Sequence, residues 1–309
     1  VSTYKSQRRG GRGVQGQTAR EEDFTEHLFV ENTHSYILFF TDKGKCYWVK
    51  VYDIPEGGRA AKGRAIVNLI GCEPDEKVSA FIGVKQDQFH DDHFVVMATE
   101  KGIVKKTKLS AYSNPRKKGI YAVEIREGDS LIEARVSNGE NDILLGTTNG
   151  KSIRFSEEQI RPSGRKTMGV KGITLSSKDD KVVGMLLIKR EGTVLVATEN
   201  GFGKRTEIIQ YRAQKRGGKG VLTMKTTDKI GKMITIKEVV GTDDLMIIRD
   251  DGVLIRMPVS QIRSIGRATQ GVKLIKLAEG TKVSASTGII SEQEKTADEP
   301  EDNPESQDA

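Results

Sequence analysis

The sequence predicts an all-β fold of propeller-like blades, and three observations carry that expectation. Short apolar strands run into a glycine turn five times, and a basic, glycine-rich loop returns six times. Both landmarks recur at about fifty residues, and four short strands per period of that length is the pattern of propeller blades. Glycine outnumbers proline 33 to 7, which favours strands joined by tight turns over long helices.

The first element of each repeat is a hairpin. Its turns are Thr41-Asp42-Lys43-Gly44, Thr99-Glu100-Lys101-Gly102, Thr147-Thr148-Asn149-Gly150, Thr198-Glu199-Asn200-Gly201 and Arg249-Asp250-Asp251-Gly252, with glycines 58, 48, 51 and 51 residues apart. Asn-Gly or Asp-Gly between apolar runs is a strong short-range hairpin signal. A second strand carrying a cation follows, as in Ile153-Arg154-Phe155.

The second element is the basic loop. Its closing glycines are Gly13, Gly63, Gly119, Gly169, Gly220 and Gly271, spaced 50, 56, 50, 51 and 51. An alternating strand such as Val272–Leu277 is expected after it, then a further strand such as Lys77–Ile82 leading to the next hairpin. Two loops share one seven-residue pattern: Gln7-Arg8-Arg9-Gly10-Gly11-Arg12-Gly13 and Gln214-Lys215-Arg216-Gly217-Gly218-Lys219-Gly220. Six loops but five turns imply a chain that begins inside a repeat, as a piece of a longer polypeptide. Val283-Ser284-Ala285 echoes Val78-Ser79-Ala80, so the ring is expected to close with a C-terminal strand completing a first blade.

Charge is distributed unevenly. Ser291–Ala309 holds eight acidic side chains and one lysine, a net −7, whereas residues 1–290 hold 49 basic and 35 acidic groups, a net +14. Residues 290–309 are therefore expected to be a disordered acidic tail behind a domain spanning 1–289. A basic body points to a polyanionic partner. Cys46 and Cys72 form no disulfide framework or metal spacing, no signal peptide is evident, and no apolar run reaches the roughly 18 residues of a membrane helix. These features fit a cytoplasmic protein with no membrane partner.

Catalytic readings find little material. Gly11-Arg12-Gly13-Val14-Gln15-Gly16 spells a dinucleotide fingerprint but falls in a repeat loop, and Gly146–Ser152 has one residue too few between its glycines for a phosphate loop. His90 and His93 sit in a polar connection, and no histidine follows His93, which leaves no partner for a serine or cysteine nucleophile. No catalytic, metal or cofactor residues are assigned.

What recurs is cationic. Beside Arg8, Arg9 and Arg12 stand Arg59, Lys62 and Arg64; Arg116, Lys117 and Lys118; Arg165, Lys166 and Lys171; Lys215, Arg216 and Lys219; and Arg263, Arg267 and Lys273. Equivalent loops of a propeller lie at one radius, so these side chains would form a belt. Arginine forks and glycine-exposed backbone N–H groups suit phosphate. The few aromatics nearby, Tyr112 and Tyr211, favour duplex backbone over stacked single strands.

On these residues the sequence resembles the C-terminal domain of the A subunit of bacterial DNA gyrase. Gln7–Gly13 matches that family's box, usually Gln-Arg-Arg-Gly-Gly-Lys-Gly, with Arg12 at the lysine position. The resemblance implies a six-bladed β-pinwheel of four-stranded, strand-exchanging blades that wraps duplex DNA without sequence specificity. It implies a place in the gyrase heterotetramer, an ATP-dependent type IIA topoisomerase that also contains the B subunit. The catalytic tyrosine and the ATP and Mg sites of that enzyme would lie outside this chain. The isolated domain is expected to be monomeric. A protein-recruiting propeller scaffold and the equivalent domain of topoisomerase IV are the alternatives; the box favours gyrase.

Overall fold

Antiparallel hairpins closed by glycine are the unit the chain repeats. The structure, a computed structural model, describes residues 14–15, 31–57, 65–114, 116–251, 253–278 and 280–289. The hairpins pair Tyr36–Thr41 with Lys45–Lys50, Phe94–Thr99 with Ile103–Lys108, Asp142–Thr147 with Lys151–Ser156, Thr193–Thr198 with Phe202–Glu207, and Asp244–Arg249 with Val253–Pro258. Gly150 shows why the turn needs glycine. Its φ is +76°, and a Cβ there would sit 2.1 Å from the Met224 carbonyl oxygen.

An inner strand pairs with the first strand of each hairpin: Val78–Val84, Leu131–Ser137, Val182–Ile188, Met233–Val239 and Val283–Ile289. All five slip register by one residue at the same place, as between Ala98 and Thr99, which increases local twist. Successive inner strands pack on one another, so they line the centre and the opposite sheet edges form the rim.

First strands are apolar on both faces, and those of the second to fourth sheets are sandwiched between neighbouring sheets. Val95 and Met97 pack with Leu38 and Phe40 of the preceding sheet, whereas Val96 and Ala98 pack with Ile143 and Leu145 of the following one. Leu144 and Leu195 continue the alternation towards the fourth and fifth sheets. The outer face of the first sheet is covered by a short helix, Ile66–Ile70, ended by Gly71 in the left-handed region.

The fourth strand of every sheet comes from elsewhere in the chain. Ile120–Tyr121 joins Lys45–Lys50, Val170–Lys171 joins Ile103–Lys108, Val221–Leu222 joins Lys151–Ser156, and Val272–Lys273 joins Phe202–Glu207. The hairpin glycine anchors the exchange: the N–H groups of Thr223 and Met224 both donate to the Gly150 carbonyl, at 2.7 and 3.0 Å.

Three expectations are corrected. The described residues form five four-stranded sheets, not six. Each sheet is founded on a hairpin, and the chain has five; after the loop closing at Gly63 the described chain coils into the helix Ile66–Ile70 instead of adding an edge strand. Val283–Ile289 does not complete the first sheet but stays with its own hairpin, and the fifth sheet is finished by Val14–Gln15 pairing with Val253 and Leu254. The edge strand expected over Val272–Leu277 is two residues long, because the N–H groups of Leu274 and Ile275 turn to the Gly201 carbonyl.

Candidate nucleic-acid interface

Each described basic loop ends on a glycine with positive φ immediately before an edge strand. Gly119, Gly169, Gly220 and Gly271 lie between +68° and +86°. These four described loops therefore lie beside the edge strands of the first four sheets.

Within them the cations divide into two groups. Arg116, Lys117, Lys118, Lys166, Lys215, Lys219 and Arg263 are exposed. Lys171 and Lys273 are exposed on the edge strands themselves, and Lys273 lies over the Phe202 ring. Lys166 lies over the ring of Tyr121, 5.9 Å from its centroid.

The second group is half-buried. Arg165 Nη1 donates to the Tyr121 carbonyl at 3.3 Å, Arg216 Nη1 to that of Lys171 at 3.1 Å, and Arg267 Nη1 to that of Leu222 at 3.0 Å. Arg216 Nε also donates to the Gln159 carbonyl at 3.0 Å.

Two buried lysines that sequence reasoning missed hold the loops from beneath. Lys105 Nζ donates to the carbonyls of Ala122 (2.7 Å) and Arg165 (2.5 Å). Lys204 Nζ donates to those of Gly266 (2.6 Å) and Arg267, and lies 3.0 Å from Thr269 Oγ1. Burial, reinforced by the nearby guanidiniums of Arg165 and Arg267, pulls these two amines down to about 8. Their signal was a lysine three residues after a hairpin glycine, where Ile153 and Ile255 stand in other repeats.

Arg154 and Arg256, on second strands, are half-buried and paired within their own hairpins. Arg154 Nε donates to Asp142 Oδ2 at 2.7 Å, and Arg256 Nε to Asp244 Oδ2 at 2.6 Å. Tyr112 and Tyr211 are core side chains and offer no stacking surface. Gln7–Gly13, Arg59, Lys62, Arg64 and the acidic tail lie outside the described residues. Among the described residues no helix is long and apolar enough to cross a membrane.

Comparison with known proteins follows the same repeats. The family model described as the DNA gyrase C-terminal domain, beta-propeller, matches residues 1–30, 35–83, 93–138, 141–189, 192–239 and 243–285. The A subunit of DNA gyrase from Staphylococcus aureus (strain NCTC 8325 / PS 47) is 45% identical over 303 residues, 97% of this chain and 34% of the relative. That of Staphylococcus epidermidis (strain ATCC 12228 / FDA PCI 1200) is 46% identical over 286 residues, 92% of this chain and 32% of the relative. The chain thus spans about a third of these relatives' length. A solved DNA gyrase A C-terminal domain superposes with a TM-score of 0.78 at 21% identity, covering 94% of both chains. The C-terminal domain of DNA topoisomerase IV superposes at 0.74 with 24% identity, over 83% of this chain and 79% of that one. Those two likenesses speak to the fold; the repeat-by-repeat match and the 45% identity speak to descent, and the chain belongs to the DNA gyrase C-terminal domain family.

Proposed function

We propose that this chain binds duplex DNA without sequence preference and bends it around the basic rim, as the wrapping domain of an ATP-dependent type IIA topoisomerase. One observation carries the reading: exposed cations return on the loop before every described edge strand outside the fifth sheet, at Lys117–Lys118, Lys166, Lys215–Lys219 and Arg263. Repeated cations at one radius fit a uniformly charged, continuous ligand, and a duplex phosphate backbone is such a ligand. Tyr112 and Tyr211 are buried, and the exposed ring of Tyr121 is engaged by Lys166, which favours backbone contact over base stacking.

Bending about 40 base pairs through half a turn costs on the order of 10 kcal/mol by elastic estimates, so several loops must hold the duplex together. A wrap of fixed hand presents a neighbouring segment for strand passage and biases the whole enzyme towards negative supercoils. ATP, Mg and the catalytic tyrosine belong to the rest of the gyrase heterotetramer; the domain itself needs no cofactor for this role.

Ligation of nicked circles with and without the domain tests the proposal. A shift in linking number together with steep loss of binding as salt rises is expected. Binding that ignores salt, or circles closed without any linking shift, overturns it.

A further inference from the structure

We infer that Arg165, Arg216 and Arg267 are positioning residues that clamp neighbouring blades at the rim, while Lys166, Lys215 and Lys219 hold phosphate; the second half of this statement rests on the duplex-wrapping reading.

Each arginine stands four residues before its loop's closing glycine: Gly169, Gly220 or Gly271. Each reaches back to the edge strand of the preceding blade, where its Nη1 covers a carbonyl of a two-residue strand. A backbone bond returns across the same seam. The N–H groups of Glu124, Thr174 and Lys225 donate to the carbonyls of Thr167, Gly218 and Thr269, at 3.1, 2.8 and 3.0 Å. Every such seam therefore carries at least one backbone bond and one guanidinium bond in opposite directions, and the Arg216 seam adds Gly217 N–H to the Gly172 carbonyl at 2.6 Å and Thr174 Oγ1 to the Gly217 carbonyl at 2.6 Å.

The chain contains its own control. In the loop before Ile120–Tyr121 the same place is occupied by Pro115, which has no side-chain donor. There the preceding repeat presents the helix Ile66–Ile70 instead of an edge strand, so no edge carbonyl awaits a partner. Among the described loops the arginine is present in the three that an edge strand precedes and missing in the one where none does; Arg9 and Arg59 hold the same place in loops outside the described residues. A plain phosphate-binding role does not account for that coincidence.

Arginine suits the task because its planar fork can donate to one or two carbonyls and still turn its other N–H groups outward. Arg216 does so with Gln159 and Lys171. Lys215 and Lys219, in the same loop, are exposed and point their charge to solvent.

Three triple variants test the division: Arg165→Gln/Arg216→Gln/Arg267→Gln, the corresponding Arg→Lys set, and Lys166→Gln/Lys215→Gln/Lys219→Gln. Hydrogen exchange without DNA comes first. The clamp requires at least tenfold faster exchange at the amides of Thr174 and Lys225 in both arginine sets, with the lysine set like wild type. With duplex, the lysine set should flatten the slope of log affinity against log salt by about 2–3. The arginine sets should keep most of the slope yet lose the linking shift in nicked circles. Should Arg→Gln fail to fold, the Arg→Lys set is read in its place. Wild-type exchange in both arginine sets overturns the clamp, as does a full return of the linking shift in the Arg→Lys set. If wild type itself does not bind duplex, the wrapping proposal fails while the exchange result still decides the clamp.

Discussion

Lys105 Nζ donates to the main-chain carbonyl of Arg165 at 2.5 Å, so a loop of the basic rim rests on a buried cation. With Ala122 and Arg165 both supplying neutral carbonyls, no carboxylate compensates the charge at either hydrogen bond. Replacing Lys105 or Lys204 by Met should destabilise by about 2 kcal/mol, because carbonyls beneath the loop lose their donor.

That cost depends on pH with a definite sign. Each amine is held near 8 in the folded chain against 10.5 in the ordinary state. Between these values the unfolded chain binds more protons, so wild type gains stability as pH rises through that window and has none of this gain below it. Met does not titrate. The melting-temperature gap between wild type and Lys105→Met/Lys204→Met should widen from pH 8 towards pH 10.5; a gap that narrows contradicts the assignment.

Two neighbouring glycines of one loop should respond differently to alanine. At Gly220, φ is +68° and a Cβ would lie 2.3 Å from the Ser152 carbonyl oxygen. Gly220→Ala should cost about 2 kcal/mol or more. At Gly218 the nearest atom is 3.4 Å away and the backbone is ordinary, so Gly218→Ala should lie within about 0.5 kcal/mol of wild type. Urea titration of both variants makes the comparison.

Duplex affinity should fall steeply with salt. Loops offering one or two contacts each supply on the order of 6–10 phosphates, which sets a strongly negative log–log slope. Changing Arg8, Arg9 and Arg12 to Ala should leave the fold intact and weaken binding partly, since the other loops remain, while abolishing the linking shift. Gel shifts across a salt series, beside nicked-circle ligation, read both quantities.

Deleting Ser291–Ala309 removes a net −7 tethered to a +14 body. If the tail competes with DNA through a high effective concentration, its loss should tighten binding, most at low ionic strength where screening is weak. Equal affinities for truncated and full chains at low salt would assign the tail another role.

How much was legible follows from how local each signal was. Gly44, Gly102, Gly150 and Gly201 could be read as turns because a positive φ demands glycine at the residue itself. Apolar strands such as Val95–Ala98 were legible because both of their faces are covered. The exchange was not, because Ile120–Tyr121 is too short to carry a pattern and finds its partner at Lys45 and Cys46, over seventy residues back. The alternation in Val272–Leu277 suggested a longer strand, but its even spacing serves a turn onto Gly201. Arg165 and Lys166 read alike as cations; in the structure Arg165 is half-buried on the Tyr121 carbonyl, whereas Lys166 is exposed over the Tyr121 ring. Nothing in the sequence around Lys204 separates it from the other second-strand cations; its role rests on a contact with the Gly266 carbonyl more than sixty residues away.

Strand exchange also sets an order of events during synthesis on the ribosome. Lys45–Lys50 must leave the exit tunnel and wait for Ile120–Tyr121 before its sheet has an outer edge, and the same delay recurs at each repeat. The fifth sheet reverses the delay. Val14–Gln15 is made more than two hundred residues before Val253 and Leu254, the residues it pairs with. Val14–Gln15 is thus among the last pieces of this domain to find its place, and a nascent chain arrested before Val253 carries that strand with nowhere yet to go.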